Sequence, residues 1–126
     1  MTFDDPVIAG DASISDGASY ETWVFFELIK WKQLQAIEPE IFFYRTAAGL
    51  EIDFLICGDG GILPVEVKFS EKTDYADARH LEAFMKENKK ASPLGIVVYR
   101  GREFKEIRPN IWAIPDWYLF GGISSQ

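Results

Sequence analysis

The sequence lacks several features that would point to particular protein classes. It contains a single cysteine, Cys57, so an intrachain disulfide and a four-cysteine zinc site are excluded. No apolar run approaches the roughly 20 residues that span a bilayer. The first residues also lack the basic start and apolar core of a signal peptide. We therefore expect a cytoplasmic protein with a reduced thiol and no membrane partner.

Basic residues are scarce in the first half of the chain. Residues 1–63 hold 11 acids and 3 bases, residues 64–126 hold 9 acids and 10 bases, and the net charge is −7. This balance argues against a dedicated high-affinity DNA-binding protein. The second half has one local excess of bases, namely Lys86, Lys89, Lys90, Arg100, Arg102, Lys105 and Arg108. That segment is either a phosphate-facing patch or, as charge runs usually are, a solvated helix end and loop.

The composition is that of one globular domain. Apolar residues make up 48% of the chain and aromatic residues 15%, and 126 residues suffice for one domain with a core. Residues 1–16 are rich in Asp, Ser, Gly and Ala without a period, which predicts an arm or linker. We assign residues 17–120 to the domain and residues 121–126 to a C-terminal tail.

Hydrophobic periodicity predicts alternating helices and strands. The predicted elements are a helix over Ser19–Lys32, strands over Ile41–Thr46, Leu50–Cys57 and Ile62–Phe69, a helix from Asp74 to about Lys90, strands over Leu94–Tyr99, Phe104–Arg108 and Ile111–Ile114, and a final helical turn within Pro115–Phe120. Short turns favour antiparallel hairpins, and the strand–helix–strand unit favours a parallel pair. The fold class is therefore α/β (α+β), an α-β-β-β-α-β core with a mixed sheet flanked by helices.

Two carboxylates and a lysine mark the second and third strands. Asp53 lies on one strand and Glu66 and Lys68 on the next, with the turn Asp59-Gly60-Gly61 between them. Alternation along a strand is expected to group Glu51, Asp53 and Leu55 on one face and Ile52, Phe54 and Ile56 on the other. On neighbouring strands, the side chains of Asp53, Glu66 and Lys68 can then converge.

Oxygen ligands of this kind suit Mg²⁺ or Mn²⁺. A bound ion would lower the pKa of a water and stabilise charge on a phosphate, and Lys68 could orient the water or neutralise the phosphoryl oxygen. Glu21 adds a further carboxylate, on the helical stripe that is expected to rest on the sheet, where an unpaired carboxylate is costly to bury. Alternatively, Glu21 complements the helix N-terminus from the surface.

Several segments in order carry a family resemblance: Gly17-Ala18-Ser19-Tyr20-Glu21, Glu27-Leu28, Tyr44-Arg45-Thr46, Gly49-Leu50-Glu51-Ile52-Asp53-Phe54 and Glu66-Val67-Lys68-Phe69-Ser70. They resemble the PD-(D/E)XK nuclease superfamily, with its restriction-endonuclease-like fold. Within it, they resemble the uncharacterised C-terminal domain that follows the ATP-binding module of archaeal-type AAA ATPases. Ile52-Asp53 stands where the superfamily's name has Pro-Asp.

The resemblance implies a nuclease-like site and its partners. It places Glu21, Asp53, Glu66 and Lys68 at catalytic positions. It also implies that Asp53, Glu66, Glu21 and the main chain of Val67 are ligands of Mg²⁺ or Mn²⁺. The implied partners are DNA, an AAA ATPase module or subunit, and a second copy in a homodimer. No G-x-x-x-x-G-K-[ST] phosphate loop occurs in this sequence.

Other side chains have a structural interpretation beside a functional one. His80 could serve the site, but a lone helix histidine is more often a surface or packing residue. Tyr44 and Arg45 could contact nucleic acid, although strand aromatics usually belong to the core. The C-terminal aromatics could dock another domain, but closing the core is the preferred interpretation; they are Trp112, Trp117, Tyr118 and Phe120.

Two functional hypotheses follow. The first is a metal-dependent endonuclease or phosphodiesterase acting on DNA. The second is a catalytically inactive interaction module of an ATPase, in which Lys68 pairs with Glu66, Asp53 or Glu21 for structural reasons. Under the second hypothesis, Lys68→Ala should destabilise the fold by the few kcal/mol of an unpaired buried charge.

Overall fold

The computed structural model of the protein describes residues 15–120. The predicted tail and residues 1–14 of the predicted arm lie outside the described residues. In chain order, the elements are helix α1 (Asp16–Gln33), strands β1 (Glu40–Arg45), β2 (Glu51–Gly58) and β3 (Gly61–Lys68), a 3₁₀ turn (Tyr75–Ala78), helix α2 (Arg79–Glu87), strands β4 (Gly95–Tyr99), β5 (Lys105–Arg108) and β6 (Ile111–Pro115), and helix α3 (Asp116–Leu119).

The strands form one six-stranded mixed sheet in the order β1-β2-β3-β4-β6-β5. β1 and β2 pair antiparallel, as do β2 and β3, whereas β3, β4 and β6 run parallel and β5 lies antiparallel to β6. The predicted α/β class with an α-β-β-β-α-β core is therefore confirmed. The carboxyl ends of β3, β4 and β6 meet at one edge of the sheet, together with the beginning of β2.

The two longer helices cover opposite faces of this sheet. The α1-side core contains Tyr20, Val24, Leu28, Phe54, Ile56, Val65 and Val98. The α2-side core contains Ile52, Leu55, Ala78, Leu81, Phe84, Val97 and Ile111. Val97 and Val98 point to opposite sides because successive side chains of a strand alternate. Among the helices within residues 15–120, none combines the length and apolarity that a membrane span requires.

Both helix boundaries near the site differ from the predicted ones. α1 begins at Asp16 because the side chain of Ser15 accepts the N–H of Ala18 at 3.0 Å. The helix predicted to start at Ser19 therefore begins three residues earlier. α2 ends at Glu87, short of the predicted Lys90, since Asn88 leaves helical geometry and its side-chain amide donates to the Phe84 carbonyl.

Strand β2 breaks its alternation in the segment that carries Asp53. Phe42 of β1 pairs with Leu55 but Tyr44 pairs with Ile52, so one extra residue of β2 is inserted. Ile52 consequently packs with Leu55 on the α2 side, whereas Phe54 packs on the α1 side. The predicted grouping of Ile52 with Phe54 and Ile56 was wrong. Asp53 lies within this irregular segment, between Ile52 and Leu55.

Candidate active site

The candidate site lies where strands β2 and β3 separate. Their ladder of paired residues ends at Phe54 and Val65, one step before Asp53 and Glu66. Beyond this point the two carboxylates bridge the strands. The Asp53 N–H donates to Glu66 Oε1 at 3.1 Å, and the Val67 N–H donates to Asp53 Oδ2 at 2.7 Å. Each carboxylate thus accepts a main-chain N–H from the opposite strand, which fixes both side chains.

Burial and mutual repulsion perturb the two acids. Burial raises the pKa of Glu66 to about 8, and the neighbouring charges of Asp53 and Glu21 act in the same direction. Burial also raises the pKa of Asp53, although the hydrogen bond from Val67 opposes the shift. Two carboxylates close together in a partly desolvated site resist being charged at the same time. A divalent cation between them would relieve that repulsion.

Glu21 joins this acidic cluster from α1. Burial and, after it, the charge of Asp53 raise the pKa of the Glu21 carboxyl. Glu21 and Asp53 line an open cavity of about 550 Å³ beside the outer hairpin, together with Glu51 and Arg45. The structure therefore brings three of the predicted site residues together: Glu21, Asp53 and Glu66. The alternative of Glu21 as a free surface complement to the helix N-terminus does not describe this half-buried position.

Lys68 lies beside the acids but bonds to a different partner. Its ammonium donates to Asp77 Oδ1 at 2.8 Å, and Asp77 lies on the 3₁₀ turn before α2. The predicted structural pairing with Glu66, Asp53 or Glu21 was therefore wrong. Lys68 and Glu66 nevertheless line the same small cavity of about 210 Å³ on the α2 side. Lys68 thus reaches the space next to Glu66 while its charge is balanced by Asp77.

Asp77 is a site residue that the sequence reasoning missed. It accepts hydrogen bonds from Lys68, from the Thr73 hydroxyl at 2.8 Å and from the Asp74 N–H at 2.9 Å. Although burial acts to raise its pKa, these hydrogen bonds hold the pKa of Asp77 below its usual value. The spacing of Asp74 and Asp77 forms a capping box, a pattern that can be recognised in a sequence.

Asp77→Ala is expected to destabilise the fold more than Lys68→Ala. Loss of Asp77 removes a cap and leaves its donors without their acceptor, a cost of roughly 1–3 kcal/mol. The Lys68 side chain is 43% exposed, so Lys68→Ala should cost no more than about 1 kcal/mol. Urea melts at pH 7 check this order. The reverse order would show that the main structural role belongs to Lys68, as the interaction-module hypothesis requires.

His80 also contacts the site, through the main chain of β2. Its Nδ1 lies 2.8 Å from the Glu51 carbonyl oxygen, and its ring lines the cavity that Glu66 and Lys68 share. The Glu51 main-chain nitrogen lies 3.3 Å from the same Nδ1, so this ring nitrogen accepts the N–H in one tautomer and donates to the carbonyl in the other. The interpretation of His80 as a packing residue is thus incomplete. Tyr44, by contrast, packs against Phe84 as a core aromatic, and Arg45 pairs with Glu51.

The donor set is compatible with Mg²⁺ or Mn²⁺ held by few protein groups. Within residues 15–120, no group of three or more His, Cys, Asp and Glu side chains is arranged to hold a metal ion. The two carboxylates of Asp53 and Glu66 would suffice, because Mg²⁺ commonly binds one or two protein carboxylates and completes its coordination with waters. Val67, predicted as a ligand, contacts Asp53 through its N–H. Burial and then the mutual repulsion of the acids raise the pKa of Glu66, and a cation bound by the two carboxylates would favour their charged forms.

Comparison with known proteins gives one family. A family model described as a domain of unknown function (DUF4143) matches residues 16–119. Neither the comparison with curated proteins nor the comparison with solved structures gave a match. The matched range contains Glu21, Asp53, Glu66 and Lys68, and it covers most of the chain. The chain therefore belongs to the DUF4143 family, a family of domains of unknown function.

Proposed function

We propose that this chain is a Mg²⁺- or Mn²⁺-dependent nuclease-like domain of the PD-(D/E)XK type that hydrolyses DNA phosphodiester bonds. The observation that carries the proposal is the pair of hydrogen bonds that hold the two carboxylates where β2 and β3 separate: the Asp53 N–H donates to Glu66, and the Val67 N–H donates to Asp53. This arrangement holds two acids side by side, with raised pKa values, at an accessible edge of the sheet. Such perturbed groups are typical of functional sites.

Each residue has a definable role in this proposal. Asp53 and Glu66 hold the cation, and Glu21 adds negative charge beside Asp53. When bound, the ion supplies a water of lowered pKa and positive charge next to the phosphate oxygens. Lys68 stabilises charge on a phosphoryl oxygen, and Asp77 positions its ammonium by the 2.8 Å hydrogen bond.

The resemblance of the ordered segments to the PD-(D/E)XK superfamily supports the same reaction class. The order of helices and strands is compatible with it, since the acids and Lys68 lie on β2 and β3 after a helix that carries Glu21. We also propose that the domain normally works with an AAA-type ATPase, as the C-terminal domain that it resembles does.

A catalytically inactive interaction module is the second candidate function. The ion pair of Lys68 with Asp77 favours it, because the lysine is already satisfied without a phosphate. The raised pKa of Glu66, to about 8, favours it as well, since a protonated Glu66 needs no cation. Under this alternative, the fold binds a protein or nucleic-acid partner of the ATPase and cuts nothing.

Divalent-dependent cleavage distinguishes the two functions. The protein is incubated with labelled single-stranded, duplex and branched DNA in Mg²⁺, in Mn²⁺ and in EDTA. The proposal expects products with either cation and none in EDTA. Intact substrates under all conditions, from a protein that also fails to bind Mn²⁺, would leave the interaction module as the function.

A further inference from the structure

A groove next to the candidate site has the composition of a surface that binds nucleic acid. It has a volume of about 820 Å³ and lies at the carboxyl ends of β3 and β4, between the loop after Lys68 and the loop after Tyr99. Lys68 lines both this groove and the cavity of Glu66. A nucleic-acid strand lying in the groove would therefore run directly past the carboxylates of Asp53 and Glu66.

The groove has the excess of positive charge that the chain as a whole lacks. Its bases are Lys68, Lys72, Arg100, Arg102 and Lys105, and its acids are Glu71, Asp74, Asp77 and Glu103. Lys68 and Asp77 neutralise each other, and Asp74 caps the 3₁₀ turn by accepting the Ala76 N–H. Apart from that ion pair, four bases face three acids, Glu71, Asp74 and Glu103, in a protein whose net charge is −7. This local excess fits a phosphate backbone.

An exposed aromatic cluster adjoins the same loop. Phe104, Trp117 and Tyr118 contact one another edge to face and are 44%, 45% and 58% exposed. The expectation that the C-terminal aromatics close the core was therefore wrong for Trp117 and Tyr118, and also for Trp112, which is exposed on β6; only Phe120 packs against the α1-side core. Exposed aromatic rings beside a basic groove are the combination on which unpaired bases stack. In a duplex, the bases are already paired and stacked, so these rings would have no partner.

Hydrogen bonds hold the loop that connects the groove to the aromatic cluster. The Trp117 ring N–H donates to the Gly101 carbonyl at 3.1 Å, and the Tyr99 hydroxyl donates to the Glu103 carbonyl. The Arg100 N–H donates to the Ser70 carbonyl at 2.9 Å, which ties this loop to the opposite wall. A preformed surface loses less conformational freedom on binding than a mobile one.

We infer that this groove binds single-stranded nucleic acid, with its backbone along Arg100, Arg102 and Lys105 and its bases stacked on the Phe104–Trp117–Tyr118 cluster. That the bound strand is also cleaved rests on the proposed function. It names the substrate class as single-stranded DNA rather than duplex. Binding itself requires no metal, so it is measured apart from cleavage.

The test is fluorescence anisotropy of the full chain with a labelled 20-nucleotide single strand and with the same strand in a duplex, both in EDTA. We expect tighter binding of the single strand. The double variant Arg102→Ala/Lys105→Ala should bind about tenfold more weakly and with a shallower salt dependence, because each lost phosphate contact lowers the slope by about 0.7. Tyr118→Ala should weaken single-strand binding by roughly five- to tenfold and leave the salt slope unchanged.

Matched controls are available at other edges of the sheet. Lys86→Ala/Lys89→Ala removes the same charge from a cavity that borders Asn110 and Ile111, near the amino ends of β4 and β6. Phe42→Ala removes an exposed aromatic from β1. Both should bind like the wild type, and circular dichroism melts verify that every variant is folded.

Three results would overturn the inference: no binding of the single strand, equal binding of the duplex, or an equal loss in the controls. Failure of cleavage with intact binding in EDTA would overturn only the proposed hydrolysis. If the groove variants still bind the strand like the wild type and cleavage persists, only the assignment of strand binding to this groove would be overturned.

Discussion

Asp53→Asn is expected to lower the rate of metal-dependent DNA cleavage about a hundred- to a thousandfold. The amide oxygen of asparagine can still accept the Val67 N–H, which donates to Asp53 at 2.7 Å, so the separated strand ends stay bridged. The negative charge that holds the cation is lost, however. Cleavage rates are measured over a range of Mg²⁺ concentrations. At every concentration the rate should be below that of the wild type, and it should rise less steeply with the Mg²⁺ concentration.

The same substitution should leave stability unchanged or raise it. Asp53 lies beside Glu66 and Glu21, and each acid raises the cost of charging its neighbours. Asp59→Asn is the matched control, since Asp59 is exposed in the turn at the other end of the same hairpin. Full activity in Asp53→Asn, with Asp59→Asn equally active, would show that Asp53 has no role in the reaction.

The second large effect concerns stability against pH. The pKa of Glu66 is raised from 4.5 to about 8 in the folded protein, so between these values the folded state holds a proton that the unfolded chain has released. Under this linkage, the free energy of unfolding falls as the pH rises through that window. In EDTA, we expect a loss on the order of 2 kcal/mol between pH 5 and pH 8.

Glu66→Gln should abolish most of this pH dependence, because glutamine keeps the acceptor for the Asp53 N–H but does not titrate. Glu87→Gln, at the exposed end of α2, should retain the wild-type profile. Added Mg²⁺ should restore stability to the wild type at pH 8, since a ligand of the folded state stabilises it. Urea melts across the pH range provide the comparison. If the stability of the wild type and of Glu66→Gln changed with pH in the same way, burial would not be raising the pKa of the Glu66 carboxyl.

Much of the architecture could be predicted because it depends on local patterns. The hairpin turn at Asp59 and the apolar strand Gly95–Tyr99 specify their elements within a few residues. The approach of Glu21 to Asp53 also follows from periodicity, since a carboxylate on the buried stripe of α1 must face the sheet. The fold class and the grouping of Glu21, Asp53 and Glu66 in the candidate site could therefore be predicted from the sequence.

The features that could not be predicted depend on tertiary contacts. The extra residue in β2 changes the face of Ile52, and nothing in the alternation of that segment reveals it. The partner of Lys68 is Asp77 of the 3₁₀ turn, nine residues further along the chain, and the alternation of side chains along β3 does not reveal this tertiary contact. The exposure of Trp117 and Tyr118 depends on where α3 lies against the loop that follows Tyr99.

The most direct test of the central claim is a crystal of the protein soaked in Mn²⁺ at pH 8. If Asp53 and Glu66 form a divalent-metal site for phosphodiester hydrolysis, Mn²⁺ should bind between them. We expect one anomalous peak within coordinating distance of both carboxylates, with Lys68 still directed toward the same space. A well-ordered site in which Asp53 and Glu66 stay hydrogen-bonded across the strands, with no anomalous peak at saturating Mn²⁺, would contradict it.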